Sequence, residues 1–215
     1  MQKIILCGSK GKCGSAVYEL LKQENFEILA CVNENEMTLH EAIKKYSHID
    51  YVIDFTKKDV AYMHIQLCIQ YHIPFICGTT GFSQNELEAI KLACKESQLK
   101  GIICSNFSLP LNCIIKEFPT LCQSFDEVNI IEEHHKSKLD RPSGTGKMLL
   151  KMATCKSQIT SLDREDFVIY YRLQFESKYD KMEIAYEVDS KQVYAKGVLY
   201  YLLNEENHFF INLIE

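Results

Sequence analysis

Tryptophan is absent from the sequence, and proline and glycine are scarce, at 4 and 9 of 215 residues. This composition excludes a collagen-like chain and a Pro/Gly-rich disordered chain. Long apolar runs are also missing, because the apolar residues 1–7 lead directly into Gly, Ser and Lys. A membrane-spanning helix needs roughly 20 apolar residues, so we expect neither a membrane span nor a signal peptide. With 47% hydrophobic residues, the chain can instead form a large globular core.

An excess of positive charge is missing as well. Lys and Arg number 24 against 29 Asp and Glu, which leaves no broad basic surface for nucleic acid. The ten cysteines form no C-x-x-C pair, so the sequence predicts neither a disulfide framework nor a zinc or other metal site. We therefore expect reduced, buried cysteines, a cytoplasmic protein, and no nucleic-acid or membrane partner.

In the first hundred residues, apolar runs of strand length alternate with amphipathic helical runs. This alternation is typical of βαβ units in a parallel sheet. Capping boxes at Thr38/Glu41 and Ser83/Glu86 mark two helix starts. Strands are predicted at residues 3–7, 26–32, 51–55, 74–77 and 101–104, with helices at 15–22, 38–46 and 83–97.

The pattern changes after Asn106. It predicts a helix over 111–125, a strand over 127–132, a polar connection over 134–145, a helix over 145–155, an antiparallel hairpin over 167–175 and 182–188, and a helical run over 191–203. The expected fold is α/β: a Rossmann-like doubly wound parallel sheet plus an α+β domain with an antiparallel sheet. We assign residues 1–106 to a dinucleotide-binding domain, to which 191–215 return. Residues 107–190 are expected to form a second domain.

A glycine-rich turn, G-x-x-G-x-x-G over residues 8–14, follows the first strand and opens the first helix. A dinucleotide pyrophosphate fits such a position, although a plain glycine turn is the alternative. Asn33, Glu34 and Glu36 lie where the adenosine ribose is recognised and would repel a 2′-phosphate, which favours NADH over NADPH. Residues 78–82 and 105–108 lie at the carboxyl ends of the fourth and fifth strands. They are either further cofactor contacts or plain loops.

Titratable groups are concentrated over residues 132–145, just before a helix that starts at Gly-Thr. Helix N–H groups, the Thr145 hydroxyl, Lys138 and His135 together suit a small anionic ligand. A P-loop is rejected, because Arg141 stands where its first glycine belongs. Histidines adjacent in sequence, such as His134 and His135, rarely direct both rings at one metal ion, so a metal site is not expected here. A solvated basic loop remains the alternative interpretation of this stretch.

Five motifs occur in a characteristic order: the glycine turn, Asp54-Phe55-Thr56, Gly-Thr-Thr-Gly-Phe at 78–82, Asn-Phe-Ser at 106–108, and E-x-H-H-x-x-K-x-D-x-P-S-G-T at 132–145. Over residues 3–155 the series closely resembles the 4-hydroxy-tetrahydrodipicolinate reductases of the diaminopimelate route to lysine. The resemblance implies that a nicotinamide, NADH or NADPH, delivers hydride to ring carbon 4 of a dehydrated dicarboxylate substrate, and that a general acid then supplies a proton.

Carried over motif by motif, the resemblance implies that His134 is the proton donor and Lys138 its catalytic neighbour. His135, Gly144 and Thr145 would hold the substrate carboxylates. It implies cofactor contacts at Gly8, Ser9, Lys10, Gly11, Lys12, Cys13, Asn33, Gly78, Thr79, Thr80, Cys104, Ser105, Asn106 and Phe107. It also implies that residues 107–190 are the substrate-binding and oligomerisation domain and that the protein is a homotetramer formed through the antiparallel sheet, for which the Tyr/Phe-rich hairpin is suited.

The sequence departs from this family in its later part. Lys191 stands where an arginine is usual, a glycine-rich segment is missing between Ile159 and Tyr171, and the chain is short for the family. Two other functions therefore stay open: a nucleotide-binding regulatory protein that has lost catalysis, and a related reductase of another cyclic imine or aldehyde acid.

Overall fold

The computed structural model describes residues 1–204 and 210–212, and the chain divides into two compact units. Unit 1 is Met1–Ser108 together with the chain from Lys191 onward, and unit 2 is Leu109–Ser190. Of the segment predicted to return to the first domain, residues 205–209 and 213–215 lie outside the described residues. The roles assigned to the two domains stay predictions at this point.

The described residues form ten strands and seven helices in chain order. The strands are β1 Gln2–Cys7, β2 Phe26–Val32, β3 Tyr51–Asp54, β4 Phe75–Cys77, β5 Gly101–Ile103, β6 Glu127–His135, β7 Lys156–Arg164, β8 Ile169–Glu176, β9 Lys181–Val188 and β10 Phe210–Asn212. The helices are α1 Lys12–Gln23, α2 Leu39–Lys45, α3 Lys58–Gln70, α4 Gln84–Glu96, α5 Leu109–Ser124, α6 Gly144–Met152 and α7 Gln192–Leu203. Within 1–204 and 210–212, no helix has the length and apolarity needed to cross a bilayer.

Unit 1 contains a parallel sheet in the order β10-β5-β4-β3-β1-β2. The five predicted strands and the doubly wound topology are confirmed. Both predicted capping boxes are present at the starts of α2 and α4. β10 was not predicted.

Helices cover both faces of this sheet. α2, α3 and α4 pack on one face, and α1 packs on the other beside α7. Ala195, Val198 and Leu202 of α7 are buried together with Ile4 and Leu6 of β1. α7 therefore packs on the parallel sheet of unit 1.

Unit 2 contains a second sheet in the order β7-β6-β8-β9. β8 pairs antiparallel with β6 and with β9, so the predicted antiparallel hairpin is confirmed, while the additional strand β7 runs parallel to β6 and makes the sheet mixed. β7 escaped prediction because it is an edge strand in which every second side chain is exposed. Its sequence therefore carries only Ile159 and Leu162 as large apolar residues.

Three further predictions for unit 2 are corrected. β6 extends to His135, so the polar stretch begins on a strand that pairs with β7 along its whole length. α6 ends at Met152 and not at Cys155, because the chain must turn into β7. Tyr171 and Phe175 of β8 are buried in the core of unit 2, so these two aromatic side chains of the hairpin are not available at a subunit interface.

All ten cysteines are free thiols, as predicted. Six are buried, while Cys113 is exposed. Burial raises the pKa of Cys7, Cys68 and Cys77, which keeps these thiols protonated and unreactive at neutral pH.

Candidate active site

The glycine turn of unit 1 is shaped by close backbone packing. Gly8 has φ +79°, and a Cβ there would lie 2.6 Å from the Phe55 carbonyl oxygen. A Cβ at Gly14 would lie 2.1 Å from the Gly8 carbonyl oxygen, so the first turn of α1 rests directly on the end of β1. Gly11 caps α1 and has no side chain to accept from the first-turn N–H groups. The helix end is thus suited to an anion such as a pyrophosphate.

The end of β2 lies against this turn. Asn33 Oδ1 accepts hydrogen bonds from Ser9 Oγ and from Lys10 N, each at 3.2 Å. The Asn33 amide donates to Glu36 Oε2 at 2.8 Å, and Glu36 Oε1 pairs with the Lys10 ammonium. The hydrogen bond from Lys10 is the main reason that the pKa of Glu36 is lowered. Asn33 and Glu36, rather than Glu34, are therefore the groups held where a ribose would be recognised.

A buried carboxylate, whose role was not predicted, ties together the loops after β3 and β4. Asp54 Oδ1 accepts from Thr56 N at 2.8 Å, from Thr56 Oγ1 at 2.7 Å and from Thr79 Oγ1 at 3.2 Å. Asp54 Oδ2 lies 2.6 Å from Nδ1 of His64 on α3. The hydroxyl of Thr79 thus faces inward, whereas Thr80 is exposed. Asp54 belongs to the Asp54-Phe55-Thr56 motif, but no sequence pattern predicts its contact with His64.

Cys7, Asp54 and His64 place their potential ligand atoms within 4.8 Å of one another. A metal ion would need the Cys7 thiolate, yet burial raises the pKa of this thiol well above its usual value. Both Asp54 oxygens already accept hydrogen bonds inside the fold. The cluster is therefore better suited to fixing the loops than to holding a metal.

The segment after β5 contributes mainly backbone and two polar side chains. Cys104 and Phe107 are buried in the core of unit 1, while Ser105 is exposed and Asn106 half-buried. Asn106 Oδ1 accepts from Ser108 N at 2.9 Å, which shapes the turn. A cofactor would meet the backbone of this turn and Ser105, not the Cys104 thiol.

In unit 2 the two adjacent histidines point to opposite faces of β6, because side chains alternate along a strand. His134 faces the helices and is buried. His135 faces the other way, stacks on Phe167 with 4.1 Å between ring centroids, and contacts Ser137 Oγ at 2.7 Å through Nδ1. The structure does not bring the two imidazoles together. A strand prediction that extended to residue 135 would have placed the two histidine side chains on opposite faces of the sheet.

The N-terminus of α6 lies beside His134. Ser143 caps the helix, accepting at Oγ from Gly146 N at 3.0 Å, and its own N–H donates to Glu132 Oε1 at 2.7 Å. Apart from its chain neighbours and its own helix backbone, no atom of the described residues lies within 4 Å of a Cβ placed on Gly144. Over residues 1–204 and 210–212, the backbone N–H groups of Gly144 and Thr145 donate to no acceptor. Two N–H groups at the positive end of a helix are thus available to a carboxylate.

Glu132 is the buried anion of this region, at 0% exposure. Its Oε2 accepts from Ser143 Oγ and lies 3.7 Å from His134 Nε2, while Ser161 Oγ donates to Oε1 at 2.8 Å. Burial alone raises the pKa of Glu132, but hydrogen bonds from His134, Ser143 and Ser161 outweigh it and lower the pKa to about 2. The carboxylate is therefore ionised across the neutral range.

Glu132→Gln gives a pH-dependent difference in stability. Because the folded-state pKa lies below the usual value, ionised Glu132 adds stability above about pH 4.5 that is lost as the pH falls towards 2. We expect the excess unfolding free energy of wild type over Glu132→Gln to shrink by roughly 2–3 kcal/mol between pH 6 and pH 2. Urea unfolding at several pH values measures this, with Glu187→Gln on β9 as the control. A difference that does not change with pH would contradict the assignment.

Lys138 lies in the loop between β6 and α6. Its ammonium pairs with Asp140 Oδ1 at 2.8 Å and thereby lowers the pKa of Asp140. The loop is held by Arg141, which donates from Nε to the Lys138 carbonyl at 3.0 Å and from Nη2 to the His135 carbonyl at 3.3 Å. The charged end of Lys138 is partly exposed and can exchange Asp140 for an anionic ligand.

Comparison with known proteins gives one consistent relationship. Residues 2–107 match the family described as dihydrodipicolinate reductase, N-terminus, and residues 111–208 match dihydrodipicolinate reductase, C-terminus. The chain is 30% identical to the 4-hydroxy-tetrahydrodipicolinate reductase of Oceanobacillus iheyensis over 67% of this chain, but spans only 62% of that relative's length. It is 24% identical to the enzyme of the same description from Alkaliphilus oremlandii, over 91% of this chain and 89% of the relative.

Among solved structures, the dipicolinate-bound dihydrodipicolinate reductase from Paenisporosarcina sp. TG-14 is similar, with a TM-score of 0.84 and 19% identity. The match covers 99% of this chain and 97% of that one. It shows that the two chains share their fold.

Proposed function

The chain belongs to the dihydrodipicolinate reductase family, and from this premise we propose that it reduces 4-hydroxy-tetrahydrodipicolinate to tetrahydrodipicolinate with NADH or NADPH. The observation that carries the proposal is the placement of His134 beside the open N-terminus of α6. This juxtaposes a proton donor with N–H groups suited to a carboxylate. The similar Paenisporosarcina protein is described as binding dipicolinate, a small ring dicarboxylate.

The substrate's two carboxylates require several donors. The N–H groups of Gly144 and Thr145 bind one carboxylate at the positive helix end. Lys138, released from Asp140, and His135 supply charge or a hydrogen bond to the other. Donors from a helix end and from a loop fix the orientation of a planar ring better than one cation alone.

His134 and Lys138 act on the charge that develops during reduction. Hydride addition to a conjugated imine leaves negative charge on the ring, which a positioned imidazolium and ammonium stabilise more strongly in the transition state than in the ground state. His134 then gives a proton to the reduced ring as the general acid. Burial of His134 excludes water from this step.

Unit 1 has the features that a nicotinamide dinucleotide requires. The Gly8–Gly14 turn and the uncapped end of α1 would hold the pyrophosphate, and Asn33 with Glu36 the adenosine ribose. Gly78 to Thr80 and Cys104 to Phe107 would flank the nicotinamide end. The bound cofactor supplies the hydride, while the protein orients and stabilises.

We propose that NADH is the preferred cofactor, because the Glu36 carboxylate would repel a 2′-phosphate and occupies Lys10. Glu36→Gln should raise the ratio of kcat/KM for NADPH to that for NADH about tenfold, a change of ~1.4 kcal/mol. Glu34→Gln is the matched control, since it makes the same charge change on an exposed neighbour. Steady-state rates with both cofactors measure the ratio. Equal ratios in the two variants would remove Glu36 from cofactor selection.

Lys138→Ala should lower kcat/KM roughly 30-fold, because both a carboxylate contact and transition-state charge stabilisation are lost. Lys136→Ala is the control, as Lys136 lies two residues earlier and pairs with Glu165 at 2.8 Å. Its rate should stay within twofold of wild type. Parallel losses in both variants would indicate that only the loop's general charge matters.

We further propose that copies of the chain form a cytoplasmic homotetramer through the sheet of unit 2. The face of this sheet opposite α5 and α6 carries polar side chains, among them Asn129, Arg172 and Gln174. Asn129 Oδ1 is buried yet accepts no hydrogen bond from the described residues, as expected where a partner completes a polar surface. Light scattering after size exclusion gives the molar mass, and a monomer would contradict the assembly.

The activity test uses freshly prepared 4-hydroxy-tetrahydrodipicolinate and follows oxidation of NADH and NADPH. A rate dependent on the substrate supports the proposed function, provided that a reductase of known activity serves as the positive control. NADH fluorescence titration runs alongside. Binding without turnover would indicate a regulatory nucleotide-binding protein, and turnover with only another cyclic imine acid would change the substrate; either result overturns the proposal.

A further inference from the structure

Tyr171 of β8, to which the function proposed above assigns no role, lies at the centre of a buried polar cluster. Its hydroxyl is 3.1 Å from Ser143 Oγ and 3.5 Å from His134 Nε2, and the Thr145 side chain also hydrogen-bonds it. The rings of Tyr171 and His134 meet edge to face with centroids 5.7 Å apart. Burial raises the pKa of Tyr171, so the phenol keeps its proton at neutral pH.

The direction of these hydrogen bonds follows from counting donors. Ser143 has one hydroxyl hydrogen, which it gives to the ionised Glu132 in a very short contact. The contact between Ser143 Oγ and Tyr171 therefore uses the phenol hydrogen, with Tyr171 as the donor. The Tyr171 oxygen is left only with acceptor capacity, for Thr145 and for His134.

Nε2 of His134 therefore faces two acceptors. One is the Tyr171 oxygen at 3.5 Å, and the other is Glu132 Oε2 at 3.7 Å. A ring nitrogen between two acceptors must carry a hydrogen. Among residues 1–204 and 210–212, no group hydrogen-bonds the other ring nitrogen, Nδ1.

We propose that Tyr171 is a positioning residue that fixes the hydrogen of His134 on Nε2, so that Nδ1 is the nitrogen that gains and loses the catalytic proton. The catalytic part of this inference rests on the proposed function. The relay Glu132–Ser143–Tyr171 anchors the imidazole to the cap of α6, the helix whose N–H groups would hold the substrate.

Hydride brings two electrons and one hydrogen to the ring carbon of the dehydrated substrate, leaving an anionic enamine. The N–H bond at Nδ1 of the His134 imidazolium breaks, and its proton forms a C–H bond on that ring. His134 becomes neutral and keeps the hydrogen on Nε2, until a solvent proton restores Nδ1.

Nitrogen-15 NMR of labelled histidine in the full-length protein tests the assignment without any activity. His134→Gln identifies the His134 signals by their loss. At a pH high enough that these signals no longer move, wild type should show a protonated Nε2 and a bare Nδ1. In Tyr171→Phe we expect the Nε2 signal to shift, because Nε2 loses one of its two acceptors, while Tyr170→Phe, on the opposite face of β8, should match wild type. A hydrogen on Nδ1 in the wild type would overturn the proposal.

Kinetics test the catalytic consequence. Tyr171→Phe should lower kcat about 5- to 10-fold with KM changed less than twofold, since a net hydrogen bond to the acid is lost but no substrate contact. Tyr170→Phe should stay within twofold of wild type, with its assembly checked by light scattering. Equal kcat in both variants would remove Tyr171 from catalysis. An inactive wild type with the expected tautomer would refute the proposed function while leaving the imidazole assignment intact.

Discussion

His134→Gln should lower kcat at least 100-fold, because general acid catalysis contributes ~10² to 10⁴ and glutamine has no proton to transfer. The amide can still donate to Tyr171, so the variant should fold and bind NADH as wild type does. His134 is almost fully buried at 6% exposure, so a bulkier or charged replacement would confuse a folding defect with a catalytic one.

Steady-state kinetics at saturating cofactor and substrate measure this effect, with thermal unfolding and NADH fluorescence as controls. His48→Gln, at an exposed histidine of unit 1 that pairs with Asp50, is the matched control and should keep full activity. If His134→Gln retained more than a tenth of the wild-type kcat, His134 would not be the proton donor, whatever its surroundings.

Gly14→Ala should weaken NADH binding roughly 10- to 100-fold. The added Cβ would lie 2.1 Å from the Gly8 carbonyl oxygen and 2.8 Å from its carbonyl carbon, both backbone atoms, so α1 must move away from the turn. Such overpacking costs about 1–3 kcal/mol, and the displaced helix end no longer aligns its N–H groups with the pyrophosphate. The loss should fall on the cofactor Kd rather than on the stability of unit 2.

Fluorescence titration with NADH gives the Kd, and Ser15→Ala provides the control at the next, exposed position of the same helix. Ser15→Ala should bind as wild type does. If Gly14→Ala bound NADH as tightly as wild type does, the glycine turn would be only a structural connection between β1 and α1, which is the alternative given in the sequence analysis.

The architecture of unit 1 was predictable because its signals are local. Apolar runs of strand length and the capping boxes at Thr38 and Ser83 are written in consecutive residues, and both boxes are present. β7 and β10 were missed for physical reasons. β7 is an edge strand that buries little, and β10 pairs only with β5, more than 100 residues earlier in the chain.

The site was only partly predictable, because its central contacts join residues far apart in the chain. Tyr171 lies 37 residues from His134 and 28 from Ser143, and no periodicity links them. The inward hydroxyl of Thr79 depends on Asp54, 25 residues earlier. The motif at 132–145 located the titratable groups, yet the divergence of His134 and His135 required knowing that β6 continues through both.

Transfer of hydrogen from the nicotinamide to the substrate ring is the central claim, and isotope labelling tests it most directly. Excess enzyme would be mixed with fresh 4-hydroxy-tetrahydrodipicolinate and NADH carrying deuterium at the transferred position, and the product analysed by mass spectrometry. We expect tetrahydrodipicolinate with one deuterium per molecule and an equal amount of NAD⁺. Unlabelled product, or oxidised cofactor with unchanged substrate, would contradict it.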